Sequence, residues 1–162
     1  MGKGTTALGI IGVILGAAGF GFGFFAWIDQ IRENVWYDEF LDSEFYPTTT
    51  FPGEAIPNMS LIVDLSVPVS LHLLFTCVAV CNDVAGSYSD FFFYFLINDV
   101  KLDNPWTRAG TYDESVADNR YPVTLQHYII GMAPGRYNFS ILVLSEFAGN
   151  YIRECAFSIR SN

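Results

Sequence analysis

The chain has 162 residues, 51% of them hydrophobic and 17% aromatic, and a formal charge of −9. That length suits one compact domain plus an additional segment and leaves no room for two full domains. All 17 acidic residues follow Ile28, so the later part presents a surface that repels nucleic acid and anionic lipid headgroups, and no nucleic-acid partner is expected.

Residues 5–28 (TTALGIIGVILGAAGFGFGFFAWI) carry no formal charge. At ~1.5 Å per residue such a helix spans ~36 Å, enough for a hydrocarbon core of ~30 Å. Lys3 precedes it and Asp29 and Glu33 follow, so the positive-inside rule puts the N-terminus in the cytoplasm and the remainder outside. Gly9, Gly12, Gly16, Gly19 and Gly23 follow a 3-4-3-4 spacing that Ala26 continues. On a helix these residues form one stripe without side chains. Glycine is a poor helix former, and close packing against another helix is the physical reason to place five of them on one seam. Gly21 lies off the stripe. A cleaved signal near Ala17-Ala18 and a myristoylated Gly2 are the processing alternatives, but an A-x-A site is missing and a spanning helix makes a lipid redundant.

Three regions are expected: a hydrophobic membrane and assembly helix over 1–28, an acidic stem with a Pro/Thr linker over 29–58, and an extracellular β-sandwich over 59–162. In the stem, Ile28, Ile31 and Val35 would share a helical face, while VWYDEF could equally begin a strand; the pattern does not decide. The segment PTTTFPGEAIPN reads as linker. Beyond it come short β-like runs at 60–67, 69–81, 90–98, 123–130, 137–144 and 151–160, with 104–121 read as a polar loop and Pro134-Gly135 as a turn. The run DFFFYFLIN is apolar on both faces, as suits a central strand or one covered by a neighbouring subunit. The fold class is therefore mainly β: an N-terminal hydrophobic α-helix followed by an antiparallel, jelly-roll-like β-sandwich.

Few residues suggest site chemistry. Three cysteines, Cys77, Cys81 and Cys155, outside the cell fit one disulfide plus one buried thiol. Cys77 and Cys155 share the inward parity of their strands and form the favoured pair. Cys81 is the competing partner, and three buried thiols the remaining alternative. A zinc site on Cys77 and Cys81 is disfavoured, because i and i+4 on a strand lie ~13 Å apart. His127 keeps step with Leu125 and Ile129 as a core or edge histidine. Asp113, Glu114 and Asp118 offer hard oxygen ligands for calcium, although an acidic solvated loop explains them equally well. No metal, cofactor or catalytic residue is assigned, since no nucleophile elbow and no phosphate-binding loop occurs. Asn58-Met59-Ser60 and Asn138-Phe139-Ser140 are glycosylation sequons.

An export helix leading into a β-sandwich, with Lys3-Gly4 before Thr5, resembles archaeal type IV pilins and archaellins. Cleavage after such a dipeptide and a filament core of packed helices are what that resemblance implies. The glycine-rich anchor is also similar to jelly-roll surface proteins of Asgard-type archaea. The segment VTLQHYIIGMAPGRYNFSILVLSE resembles the late strands of C1q- and tumour-necrosis-factor-like sandwiches, which implies trimers. Three functions are therefore expected: a non-enzymatic surface subunit that partners itself in a filament or other ordered homo-oligomer, a membrane-anchored adhesin or receptor-like module, monomeric or trimeric, or a small envelope protein of a virus, which has the same layout. In each, the helix meets the membrane at least before assembly.

Overall fold

The computed structural model describes residues 34–40, 44–82, 88–112 and 119–161. The chain divides into two units, Met1–Glu33 and Asn34–Asn162, and the first lies outside the described residues, as does the helix expected over 1–28. Among the described residues no helix is long and apolar enough to cross a membrane.

Eight strands build the second unit: β1 (Val35–Phe40), β2 (Glu54–Leu65), β3 (Val69–Cys81), β4 (Tyr88–Ile97), β5 (Val100–Tyr112), β6 (Asn119–Met132), β7 (Gly135–Ser145) and β8 (Tyr151–Ser161). They pair antiparallel in two sheets of four, ordered β1-β8-β3-β6 and β2-β7-β4-β5. Only β4 and β5 form a hairpin inside one sheet; every other connection crosses between the sheets. That order is the eight-stranded jelly roll.

Period-two burial sets the core. Leu71, Leu73, Phe75, Cys77 and Ala79 of β3 point inward, and Phe91, Phe93 and Phe95 of β4 meet them from the other sheet. Phe75 and Phe93 touch across the sandwich at 5.8 Å between ring centroids, and Phe95 and Phe157 at 5.9 Å. Phe139, Ile141 and Val143 of β7 and Leu61 and Val63 of β2 complete the apolar layer.

The connections fall into two classes. Residues 66–68, 98–99 and 133–134 are tight turns at one end. Asn98 and Asp99 both take positive φ (50° and 63°), which matches the twist of a two-residue hairpin. Tyr137 Oη donates to Ala133 O at 3.0 Å and braces the last of these turns. The described connecting residues 44–53 and 146–150 lie at the opposite end, where β1, β3, β5 and β7 finish, because odd strands all run one way and even strands the other. The chain enters and leaves the sandwich at the tight-turn end, where Asn34 N donates to Ser161 Oγ (3.1 Å) and Ser161 N to Asn34 O (3.0 Å).

Three sequence expectations are corrected. The sandwich begins at Asn34 rather than at 59, so much of the stem and linker expected over 29–58 is sheet. VWYDEF becomes β1, hydrogen-bonded along β8, with Trp36 packed against the core. The linker prolines misled because Pro57 sits in an irregularity of β2, between Ala55 and Ser60, where no ladder donor is needed. Ile56 and Met59 nevertheless bury there. The loop expected over 104–121 is in large part β5, an edge strand. Its alternation was obscured by Thr107 and Gly110 and by a register shift opposite Tyr94–Leu96.

Truncating the inter-sheet layer has a large cost: Phe93→Ala is expected to lower stability by about 3–5 kcal/mol. Trp106→Ala, on the outer face of the same sheet, is expected to cost under about 1 kcal/mol. Urea unfolding followed by circular dichroism reads both.

Candidate functional site

The inner faces are occupied by the core, so the surfaces left for function are the outer faces and the loop-bearing end. The sheet β2-β7-β4-β5 has an unusual outer face. Register aligns Ala55, Leu142, Tyr94 and Trp106 in one row across all four strands, with side chains opposite to the buried Val143 and Phe93. Leu144, Phe92 and Arg108 form the adjoining row, and Leu96 lies beside Lys101 on the other side. Trp106 is 49% exposed and packs on Phe92 at 6.1 Å. Phe51, from the connection before β2, is 75% exposed. The Lys101 ammonium lies 4.4 Å from the centre of the Tyr94 ring and 5.9 Å from that of Phe51, and the Arg108 guanidinium lies 5.8 Å from Phe92. Cations seated on aromatic faces fix the side chains of this surface without an acidic partner for each.

A charged cluster closes the loop-bearing end of that face. Asp90, only 2% exposed, forms an ion pair with Arg108 across β4 and β5. Gly110 makes room for it, because a methyl group at that position would overlap the Asp90 carboxylate. Glu146, at the start of the β7–β8 connection, donates its backbone N–H to Asp90 O at 2.9 Å. Its carboxyl is held above the ordinary carboxylate value by desolvation first, then by the charge of Asp90 and a hydrogen bond to it, with Arg108 opposing. Beneath the cluster, buried Asn150 accepts from Asn82 N (3.0 Å) and Ser89 Oγ (2.8 Å), tying the end of β3 and the start of β4 to the same connection.

The residues singled out in the sequence do not converge on one site. Gly9, Gly12, Gly16, Gly19, Gly23 and Ala26 lie outside the described residues, as do Asp113, Glu114 and Asp118. Among the described residues no group of three His, Cys, Asp or Glu could hold a metal ion. Cys77 and Cys155 are neighbours across β3 and β8, buried and unbridged; Cys81 is likewise buried and unbridged. Asn58 is exposed in a left-handed conformation (φ 59°) at the β2 irregularity. Asn138 is half-buried on the inner strand β7, and its backbone N–H is bonded to Asn98 Oδ1 at 2.8 Å. His127 is half-buried near Phe95, and burial lowers its pKa, favouring the neutral ring. His72 stacks on Tyr128 at 4.1 Å on the outer face of the other sheet.

Sequence reasoning found the two-sided apolar strand but missed its partners. Trp106 and Lys101 lay in a segment not read as strand. The Asp90–Arg108–Glu146 cluster joins residues far apart in the chain, and only strand register brings them together.

Fold and surface together define a jelly-roll domain with an apolar, aromatic outer face on one sheet. No protein-family model matches the sequence, and no curated protein matches it. Solved structures similar to the chain include the VP2 subviral particle of infectious bursal disease virus, at 14% identity and TM-score 0.45, covering 80% of this chain and 33% of that one. A structure of the Gt strain of infectious bursal disease virus matches at 12% identity and TM-score 0.45, with the same coverage. The CBM36-1 domain of a multidomain xylanase from the hindgut metagenome of Trinervitermes trinervoides matches at 10% identity and TM-score 0.38, covering 78% of this chain and 96% of that domain. The chain spans about a third of the length of the viral chains it matches.

Two predictions follow from the geometry. Because the Glu146 pKa is raised, its contribution to stability is complete below the ordinary value of 4.5 and is lost as pH rises through the raised value. Glu146→Gln is therefore expected to raise the melting temperature slightly at pH 7, with the gap closing as the pH falls towards 4.5. Thermal unfolding at the two pH values measures this. Where a host glycosylates the chain, exposed Asn58 is the expected acceptor. Asn58→Gln should remove the glycan mass in intact-mass spectrometry, and Asn138→Gln should leave it.

Proposed function

We propose that the chain is a non-enzymatic structural subunit of a cell surface, which assembles with copies of itself and displays the jelly roll as its head. In the pilin-like form of this reading, the glycine-seamed segment over 1–28 packs into a filament core after cleavage at Lys3-Gly4. In the other form, copies meet as an ordered homo-oligomer held in the membrane by that segment.

One observation carries self-assembly: the row Ala55–Leu142–Tyr94–Trp106, flanked by Phe92, Leu144 and Leu96, makes a sheet apolar on both sides, with Leu142 and Leu96 already buried and Trp106 and Phe51 left exposed beside them. An antiparallel sheet with one free face alternates apolar and polar residues; one apolar on both faces is suited to being covered. A second copy suits this surface on grounds of charge. The protein is strongly acidic, yet here Lys101 and Arg108 offset Asp90, so two heads can approach without the like-charge repulsion found elsewhere. If the patch meets its own copy the contact closes about a two-fold axis; if it meets a different surface of the next copy, the copies join in a ring or filament.

A second reading, a membrane-anchored adhesin or receptor-like module, monomeric or trimeric, is favoured by one feature. The described connecting residues 44–53 and 146–150 lie at the end of the sandwich opposite to Asn34. Connections presented away from the point of chain entry are where binding residues usually lie.

Light scattering of the full chain in mild detergent tests the first reading. The wild type is expected to be a homo-oligomer. Trp106→Glu, which changes an exposed side chain, is expected to raise the concentration needed for assembly about tenfold or more, with the β-sheet circular dichroism unchanged. Gly16→Leu is expected to abolish assembly while leaving the β domain folded. A wild-type monomer at all concentrations, or assembly indifferent to both changes, contradicts the reading.

A further inference from the structure

The three cysteines are not equivalent in the fold: Cys77 and Cys155 lie opposite one another across β3 and β8, and Cys81 lies four residues further along β3. In the β3–β8 ladder Thr76 faces Ala156 and Val78 faces Arg153, so Cys77 stands opposite two residues of β8, Glu154 and Cys155. Glu154 takes the left-handed conformation (φ 52°) that forms the bulge. Its side chain is exposed and meets Arg153 at 3.4 Å. Cys155 keeps step with the inward Phe157 and Ile159, is fully buried and faces Cys77, while the extra residue brings Ile152 to the inner face on the far side of the bulge.

The Cys155 thiol lies close enough to that of Cys77 to raise its pKa. Residues opposed on neighbouring antiparallel strands have Cα atoms about 4.5–5.5 Å apart, within the span of about 4.4–6.8 Å that disulfides bridge. Cys81 is inward-facing too, but four residues of strand separate it from Cys77 by roughly 13 Å. It cannot bridge to Cys77 while β3 is intact.

We infer that Cys77 and Cys155 are a disulfide-forming pair, closed by a disulfide-bearing thiol oxidant, with Cys81 remaining a thiol. The inference rests on the proposed export of the domain, because a reducing cytosol would keep both thiols reduced. In the reaction one cysteine thiolate attacks the oxidant's disulfide and forms a mixed disulfide, and the second cysteine displaces the oxidant sulfur. Two cysteine S–H bonds and the oxidant's S–S bond break, and one protein S–S bond and two oxidant S–H bonds form. The two electrons and two protons lost by the cysteines reduce the oxidant to thiols. Burial and the neighbouring Cys155 thiol raise the Cys77 pKa well above its ordinary value, which disfavours the attacking thiolate in the closed sandwich. Closure therefore belongs to folding, before β8 has docked, and the bond then locks the last strand to β3.

The test uses the full chain isolated reduced and refolded with oxidised glutathione and protein disulfide isomerase. Free thiols are then alkylated for intact-mass and peptide mapping. The expected product is about 2 Da lighter before alkylation, takes one alkyl group, at Cys81, and yields one linked peptide pair containing Cys77 and Cys155. Its melting temperature should exceed that of the reduced chain by about 10 °C. Cys81→Ser should keep the bridge, and Cys155→Ser should lose it. A product with all three cysteines alkylated, or one bridged through Cys81, overturns the inference. Mapping the chain from its native membrane separates this from the export reading. Thiols reduced there, in a chain that bridges on refolding, would contradict export and leave the pairing intact.

Discussion

The structure depends on the contact between aromatic rings of opposite sheets. Phe75 of β3 meets Phe93 of β4, and Phe157 of β8 meets Phe95, so each pair joins strands from different four-stranded layers. Neither sheet could bury its inner face alone, and the ladder hydrogen bonds within a sheet contribute little net stability until that face is dry. The strand order follows from the same constraint. Nearly every connection crosses the sandwich, so the chain adds to both layers in turn and the core grows between them.

β4 then sets the character of the outside. Its inward residues Phe91, Phe93 and Phe95 are spent on the core, yet its outward residues Phe92, Tyr94 and Leu96 are apolar as well. A strand flanked by β7 on one side and β5 on the other is already paired along both edges, so these outward residues are not needed to hold the sheet together. The lysine and arginine seated on their rings, and the buried Asp90 that balances Arg108, produce a surface patch that is close to neutral on an acidic protein. Proposed self-assembly follows from this patch rather than from any pocket or constellation of reactive groups.

Much of the fold was legible because it is written in local alternation. Val69–Cys81 was read with the boundaries the structure gives β3, since Leu71, Leu73, Phe75, Cys77 and Ala79 alternate without interruption. Reading failed where alternation was broken. β5 carries Thr107 and Gly110 at positions where an apolar residue would have signalled a strand, and Gly110 is there to accommodate Asp90. The start of β2 contains Pro57 and a left-handed Asn58, turn chemistry that in this chain marks a bulge instead of a linker. The candidate face was half visible. Phe92, Tyr94 and Leu96 stand in one run of sequence, but Trp106, Lys101 and Leu142 join them only through register, which no single segment encodes.

Electron microscopy of the assembled full-length protein tests the central claim most directly, because it shows what lies against the second sheet. The account predicts density of a neighbouring copy seated on the row Ala55–Leu142–Tyr94–Trp106. An ordered assembly in which that row faces bare solvent would contradict it.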